Sequence, residues 1–263
     1  MALFKIFRSK KPKKRIHHKK LMKKKVKIKP KKHLVKKVTK LKVKKPIKKE
    51  VKIEFKKLPD EKAYKMLRRY KIPLPDYAFC KKEEELKTAF KKIGFPCVMK
   101  VSGDIIHKTN VNGVRLNIKT EDEAIKTFKE LIKIKGCKKV LVQKMITEGY
   151  EIIVGGKKDP QFNRVVALGA GGIFTEFLKD VSFRVCPLSR SDAEEMLKEV
   201  KFSDLILKGF RGQKPADANS IIDVILSVSK IMENNPQIKE LDINPLFAMQ
   251  TKALAADVRI ILE

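Results

Sequence analysis

Apolar residues along this chain fall into two regimes that meet near residue 59. Beyond that point they recur with recognisable helix and strand spacing. Pro59-Asp60 offers a proline and a capping-type aspartate ahead of a helix predicted over residues 61–70, and Ile72-Pro-Leu-Pro75 stops it. A second helix is predicted over 83–93, ended by Gly94, and a strand over 95–101, where the run Phe-Pro-Cys-Val-Met carries Lys100 at its end. Residues 116–118 read as a short strand. Residues 121–134 read as an amphipathic helix with Ala124, Phe128, Leu131 and Ile132 on one side. Strands follow at 139–146, 151–155 and 164–168, helices at 191–200 and 218–232, and closing strands at 238–243 and 253–262. Repeated strand-to-strand steps argue for an α+β fold with mixed sheets over a uniform doubly wound one.

Before residue 59 the pattern dissolves. Residues 1–58 hold 27 Lys and Arg against 2 acidic residues, so +25 of the chain's formal +33 lies there. Pro12, Pro30 and Pro46 interrupt any helix, and alternations such as Val26-Lys-Ile-Lys29 and Val51-Lys-Ile-Glu-Phe55 carry too little apolar surface to fold alone. The segment is expected to be a disordered basic tail, either a solvated solubilising extension or an arm for polyanion contact. The remaining residues carry only +8. The four cysteines show no Cys-x-x-Cys spacing, which favours reduced thiols over a disulfide scaffold or zinc site. No apolar run approaches the roughly 20 residues of a membrane span, and the expected location is cytoplasmic.

The candidate chemistry sits in three places. His107 is the one histidine outside the tail, in a polar loop, Ser102-Gly-Asp-Ile-Ile-His-Lys-Thr-Asn-Val-Asn-Gly113, that follows the strand bearing Lys100. Near the C-terminus, Glu240-Leu-Asp-Ile-Asn-Pro-Leu246 precedes Asp257 in another apolar run. A lysine at a strand end can meet phosphate, a neutral imidazole can act as nucleophile, and Asn244 with Asp257 supplies oxygens suited to a hard cation. Asp242 shares a strand face with Asn244 and is a further oxygen donor. Taken singly, each residue has a plainer reading: a hydrogen-bonded surface histidine, a snorkelling lysine, an Asn-Pro turn. The absence of Gly-x-x-x-x-Gly-Lys-Ser/Thr excludes a P-loop.

Five ordered motifs carry more weight together than singly. They are Asp104-Ile-Ile-His-Lys-Thr109; the glycine-ended strand and Asp-Pro turn from Gly155 to Phe162; the run from Leu168-Gly-Ala-Gly-Gly172 to Arg184; Leu207-Lys-Gly-Phe-Arg-Gly-Gln-Lys-Pro-Ala-Asp217; and Leu241-Asp-Ile-Asn-Pro245. In these, residues 59–263 resemble the beta subunit of ADP-forming acetyl-CoA synthetase, an ATP-grasp protein related to the succinyl-CoA synthetase beta chain. The resemblance implies a two-lobed ATP-grasp fold, with a first lobe over 59–141 and a second over 142–263, and a nucleotide between them. It implies ATP or ADP as substrate and Mg2+ as cofactor, with Asn244 and Asp257 holding the metal. Lys100 would meet the nucleotide phosphates, Gln143 and Met145 would border the adenine, and Glu151 would lie near the ribose. Arg184 would neutralise transferring phosphate oxygens.

His107 would then carry the phosphoryl group as a phosphohistidine. A CoA-binding alpha subunit would supply the acyl phosphate, CoA and carboxylic acid sites, in an alpha2-beta2 assembly. Gly169-Ala-Gly-Gly172 does not fit a dinucleotide fingerprint and would instead permit close backbone approach. Asn110 and Asn112 depart from the aspartate and glycine common in the family, which bears on loop mobility. Two other readings remain: a succinate-type ligase beta subunit, and a nucleotide-binding interaction protein whose tail is the working part.

Overall fold

The computed structural model describes residues 56–172, 180–210 and 212–263. Residues 1–55, where the expected disordered arm and its strand-like alternations fall, lie outside the described residues. The chain is already ordered at β1 (Lys56–Lys57), and Leu58 N–H donates to the Ile260 carbonyl at 2.8 Å, so the expected tail boundary at 58 is too late.

Helix α1 (Asp60–Arg69) follows, with Asp60 and Glu61 in its first turn and Arg68 and Arg69 in its last, the arrangement the helix dipole favours. Next come β2 (Tyr77–Cys80), α2 (Glu85–Ile93), β3 (Cys97–Gly103), a 3-10 turn (Thr109–Val111), β4 (Val114–Ile118), α3 (Glu121–Leu131) and β5 (Cys137–Lys144). The second half contains β6 (Tyr150–Asp159), β7 (Asn163–Ala170), β8 (Val181–Val185), α4 (Arg190–Glu199), α5 (Phe202–Lys208) and α6 (Ala218–Asn234). It closes with β9 (Ile238–Ala248), β10 (Ala253–Ala255) and β11 (Val258–Leu262). Side chains set several helix starts. Thr120 Oγ1 accepts from Glu123 N–H, Ser189 and Asp192 form a reciprocal capping box, and Asp217 accepts from Asn219 and Ser220.

Two sheets result, in the order β2-β5-β3-β4 and β1-β11-β9-β6-β7-β8, with β10 also paired to β9. Among the described residues every pairing is antiparallel. The expected mixed sheets are therefore corrected to antiparallel ones, because short strand-to-strand links, not helical crossovers, join many neighbours. The expected lobe division after residue 141 also moves: β5 continues in the smaller sheet to Lys144. Nor does the first lobe hold everything from residue 59. Ala63, Tyr64 and Leu67 of α1 enter the larger core with residues of α4, α5, α6 and the larger sheet. A separate cluster under the smaller sheet is built from Leu86, Phe90, Met99, Val101, Phe128 and their neighbours. Tyr64 also packs edge-on against Tyr77 and Phe79 of β2, with ring centroids 4.8 and 5.5 Å apart, so α1 joins the two layers.

Candidate functional site

A flaw in one ladder organises the site. The apolar run at 253–262 reads as a single strand in sequence, yet β10 and β11 pair with β9 on either side of a break at Ala256-Asp257. The break faces Asn244-Pro245: Asn244 N–H donates to the Asp257 carbonyl at 3.2 Å, and Ala256 N–H donates to the Pro245 carbonyl at 3.0 Å. The Ala256 carbonyl, freed from the ladder, accepts from Lys100 Nζ at 2.8 Å and from the Tyr64 hydroxyl at 3.2 Å. Lys100, on β3 of the other sheet, also donates to Gln143 Oε1 at 2.9 Å. Its side chain is buried, and burial pushes its pKa down to about 8 despite the pull of Asp257 and Asp60 in the opposite direction.

These residues converge on a cavity of about 680 Å3 lined by Lys100, Gln143, Met145, Glu151, Asn244 and Asp257, a size suited to a small ligand. Thr109, Val114, Phe247 and the stretch from Lys144 to Gly149 complete much of the wall. In that stretch the amides of Lys144 and Met145 are already engaged, with the carbonyls of Asp76 at 2.8 Å and Pro96 at 3.3 Å. Glu151 is exposed at the start of β6, and its carbonyl accepts from Gly171 N–H at 2.9 Å. A Cβ on Gly171 would lie 2.6 Å from that carbonyl oxygen, so the glycine is required by close backbone approach.

Of the loop after β3, the structure brings Thr109 to the cavity wall, while His107 is exposed and lies outside the lining. The loop is closed on itself: Gly113 N–H donates to the Lys108 carbonyl at 2.7 Å, and Val101 N–H to the Gly113 carbonyl at 2.8 Å. Asn112 adopts a left-handed conformation, φ 50°, which asparagine tolerates better than most residues and glycine accepts freely.

Two residues that the sequence reading does not assign to the site hold the root of this loop. Lys108 Nζ lies 2.5 Å from Asp257 Oδ1 and 3.5 Å from Asp60 Oδ1. Asp60, almost fully buried, also accepts from Lys57 Nζ at 3.0 Å, Ser102 Oγ at 2.9 Å and Gly103 N–H at 3.2 Å. Burial alone would lower the pKa of Lys108, but Asp257 and Asp60 outweigh it and hold it above the ordinary lysine value. For Asp257, burial pushes upward while Lys108 and Lys100 prevail and keep it below the ordinary carboxylate value. Asp60 announces itself in sequence only as a helix-start residue, and Lys108 is one of many lysines. A signal for Lys108 was present in its place beside His107.

Arg184 is not brought to the cavity. On β8 it is in register with Val166 and, through it, with Gly156. A Cβ on Gly156 would collide with Met232 of α6, so this face of the sheet is the one covered by helices. There Arg184 pairs with Glu199 at 2.5 Å and Glu195 at 3.3 Å, both on α4. Asp242 likewise stands away from the cavity lining and lies 3.4 Å from Arg259.

Known proteins share this fold. Residues 51–262 match the model of an ATP-grasp domain. The beta subunit of acetate–CoA ligase [ADP-forming] I from Pyrococcus furiosus is 42% identical over 219 residues, covering 80% of this chain and 94% of that one. Two solved structures of acetyl-coenzyme A synthetase 1 from Ca. Korarchaeum cryptofilum superpose well. One, with coenzyme A, acetyl-coenzyme A and a phosphorylated phosphohistidine segment, has a TM-score of 0.71 at 38% identity, covering 79% of this chain and 94% of that one. The other, with coenzyme A and Mg-AMPPCP, has its phosphohistidine segment pointing towards the nucleotide site. Its TM-score is 0.69 at 40% identity, covering 79% of this chain and 93% of that one. With a shared fold and identities near 40% over most of its length, the chain belongs to the ATP-grasp family and, within it, to the beta subunits of ADP-forming acetate–CoA ligases.

Proposed function

We propose that the cavity binds ADP or ATP and that His107 carries the phosphoryl group between this site and a CoA-binding alpha subunit. The reading rests on one observation above others: Lys100, Asn244 and Asp257 converge on a single cavity whose wall includes Thr109, two residues beyond His107. In the ATP-forming direction, an acyl phosphate forms on the partner from acyl-CoA and phosphate, releasing CoA. Its phosphoryl group passes to an alpha-subunit histidine, which releases the carboxylic acid, and then to the imidazole of His107. Attack by the terminal oxygen of ADP on the phosphohistidine forms ATP and restores the neutral imidazole.

Each cavity residue then has a task. Lys100 neutralises phosphate charge from a dry position, where its ammonium is poorly shielded by water. Met145 packs on the adenine and Gln143 borders it; hydrogen bonds to the adenine edge come from carbonyls or from amides beyond Met145. Glu151 faces the ribose hydroxyls. A carboxylate and an amide carbonyl beside one strand break fit a hard cation such as Mg2+, which takes few protein ligands and completes its shell with phosphate and water. When bound, Mg2+ supplies neutralisation of the phosphate oxygens; Asn244 and Asp257 would hold it. Arg184 has no part in this scheme, since its guanidinium is committed to Glu199 and Glu195.

The alpha subunit, assembled as alpha2-beta2, would bring the CoA and carboxylic acid sites. The 42% identity to an acetate–CoA ligase subunit favours that chemistry over a succinate-type ligase. Residues 1–55 would add a polyanion contact that weakens steeply with salt, and their deletion should spare phosphorylation. The direct experiment is incubation with γ-labelled ATP and Mg2+. It should leave an acid-labile, base-stable phosphate on wild-type protein and none on His107→Ala. Equal labelling of that variant would sink the assignment.

A further inference from the structure

Lys108 is the site residue that the scheme above leaves without a task. Its side chain is 7% exposed, and its ammonium spans two carboxylates from distant parts of the chain, Asp257 at 2.5 Å and Asp60 at 3.5 Å. Its own carbonyl closes the loop by accepting from Gly113 N–H. The residue before it is His107. The root of the histidine-bearing segment is therefore fastened by a cation to the very carboxylate that the proposed function gives to the metal.

We infer that Lys108 is a positioning residue that serves as the built-in counter-ion of Asp257, so that a divalent cation must displace it. Fastening of the His107 segment and loading of the cation would then be mutually exclusive at that carboxylate. This rests on the reading of Asp257 as a metal ligand. The argument is one of space and charge. The ammonium sits at hydrogen-bond distance from Oδ1, where a coordinated cation would need the same lone pairs at about 2.0–2.1 Å. A cation on the other carboxylate oxygen would still lie a few ångströms from the ammonium with little water between them, and like charges so placed repel strongly. The displaced ammonium retains Asp60, but Asp60 is already shared among Lys57, Ser102 and the Gly103 amide. Cation binding thus removes the shorter of two fastenings and loosens residues 104–112, while the anchor at Gly103 stays.

The test uses the full chain and Mn2+ alone as probe, with two readouts: Mn2+ affinity from the free-ion paramagnetic signal, and hydrogen exchange of the amides at 104–112. Lys108→Gln should bind Mn2+ about ten-fold more tightly than wild type, because the competing charge is gone. Lys108→Arg, which restores the cation, should return the affinity to the wild-type range. Mn2+ should accelerate exchange across 104–112 in wild type and leave it unchanged in Lys108→Gln, where the segment is already loose. Wild-type affinity in Lys108→Gln would overturn the inference. If Mn2+ binding is lost in Asp257→Asn at the same time, the reading of Asp257 as a ligand survives that failure. Undiminished Mn2+ binding in Asp257→Asn would overturn both. Should Lys108→Gln fold poorly, the wild-type exchange experiment decides alone, and exchange indifferent to Mn2+ overturns the inference.

Discussion

The two sheets contribute opposite halves of one electrostatic unit. The four-stranded sheet delivers cations: Lys100 on β3, and Lys108 in the loop that β3 feeds. The seven-stranded sheet delivers oxygens: the Asp257 carboxylate, the Asn244 amide and the Ala256 carbonyl, freed from the ladder. Each layer has its own apolar cluster, yet the cationic groups of the smaller one find their counter-charges in the larger one and in α1. A buried charge left without its partner is costly, so each layer depends on the other for more than shape. On the proposed reading, ligand binding in such an arrangement would proceed by exchange of partners: phosphate would take over Lys100, and a cation Asp257.

That comparison can be broken at several points. The largest effect should come from His107→Ala, which removes the phosphoryl carrier; turnover with the alpha subunit should fall on the order of 10^4-fold or more, to background. Next are the oxygen donors. Asp257→Ala and Asn244→Ala should each lower turnover by several kcal/mol in transition-state terms, measured as rate against Mg2+ concentration, with the charged ligand costing more. Unchanged rates at limiting Mg2+ in both variants would remove the oxygen half from the chemistry.

The cations then separate from one another. Lys100→Met should cost about 10^2- to 10^3-fold in turnover. Arg184→Met should leave turnover within about two-fold and change thermal stability by at most about 1 kcal/mol, as befits a partly exposed surface pair. A large catalytic loss in Arg184→Met would show that the helix-covered face also serves the nucleotide.

A further effect is one of pH. With its pKa near 8, Lys100 is charged below that value and loses its charge as pH rises through it. Bound phosphate favours the protonated form and raises the pKa, so ADP affinity should fall above pH 8, by up to about ten-fold per pH unit. Lys100→Arg, whose charge persists, should flatten that dependence in a calorimetric titration.

Much of this was legible from the chain. Helices with strong periodicity, such as Glu121–Leu131 and Ala218–Asn234, declare their faces locally. Asp257 stands at a strand break, whereas Lys100 and Asn244 lie inside β3 (Cys97–Gly103) and β9 (Ile238–Ala248), strands that run on past the ends expected from the sequence. What escaped was set by distance. Lys108 meets Asp257 across 149 residues, and nothing near either position marks the pairing. Among 63 basic residues, only its place beside His107 sets this lysine apart until folding removes it from water. The short strands Tyr77–Cys80 and Val181–Val185 have too few residues for alternation to show, and they form because neighbouring strands offer them open edges. The break at Ala256-Asp257 hid for the opposite reason: a long, mostly apolar run with no glycine or proline reads as one strand. That Arg184 lies on the helix-covered face, paired with Glu199 and Glu195, is not legible either, because a residue's type does not say which face of its strand the helices will cover.

The break has one further consequence. The group that ties Lys100 and Tyr64 to the larger sheet is the carbonyl of Ala256, part of the peptide backbone that every residue type supplies. No replacement at position 256 can delete it, so a conventional alanine scan would pass over this junction as silent. Its chemistry becomes visible only to atom-level editing, such as an ester in place of the 256–257 amide, which weakens the carbonyl as an acceptor without altering a single side chain.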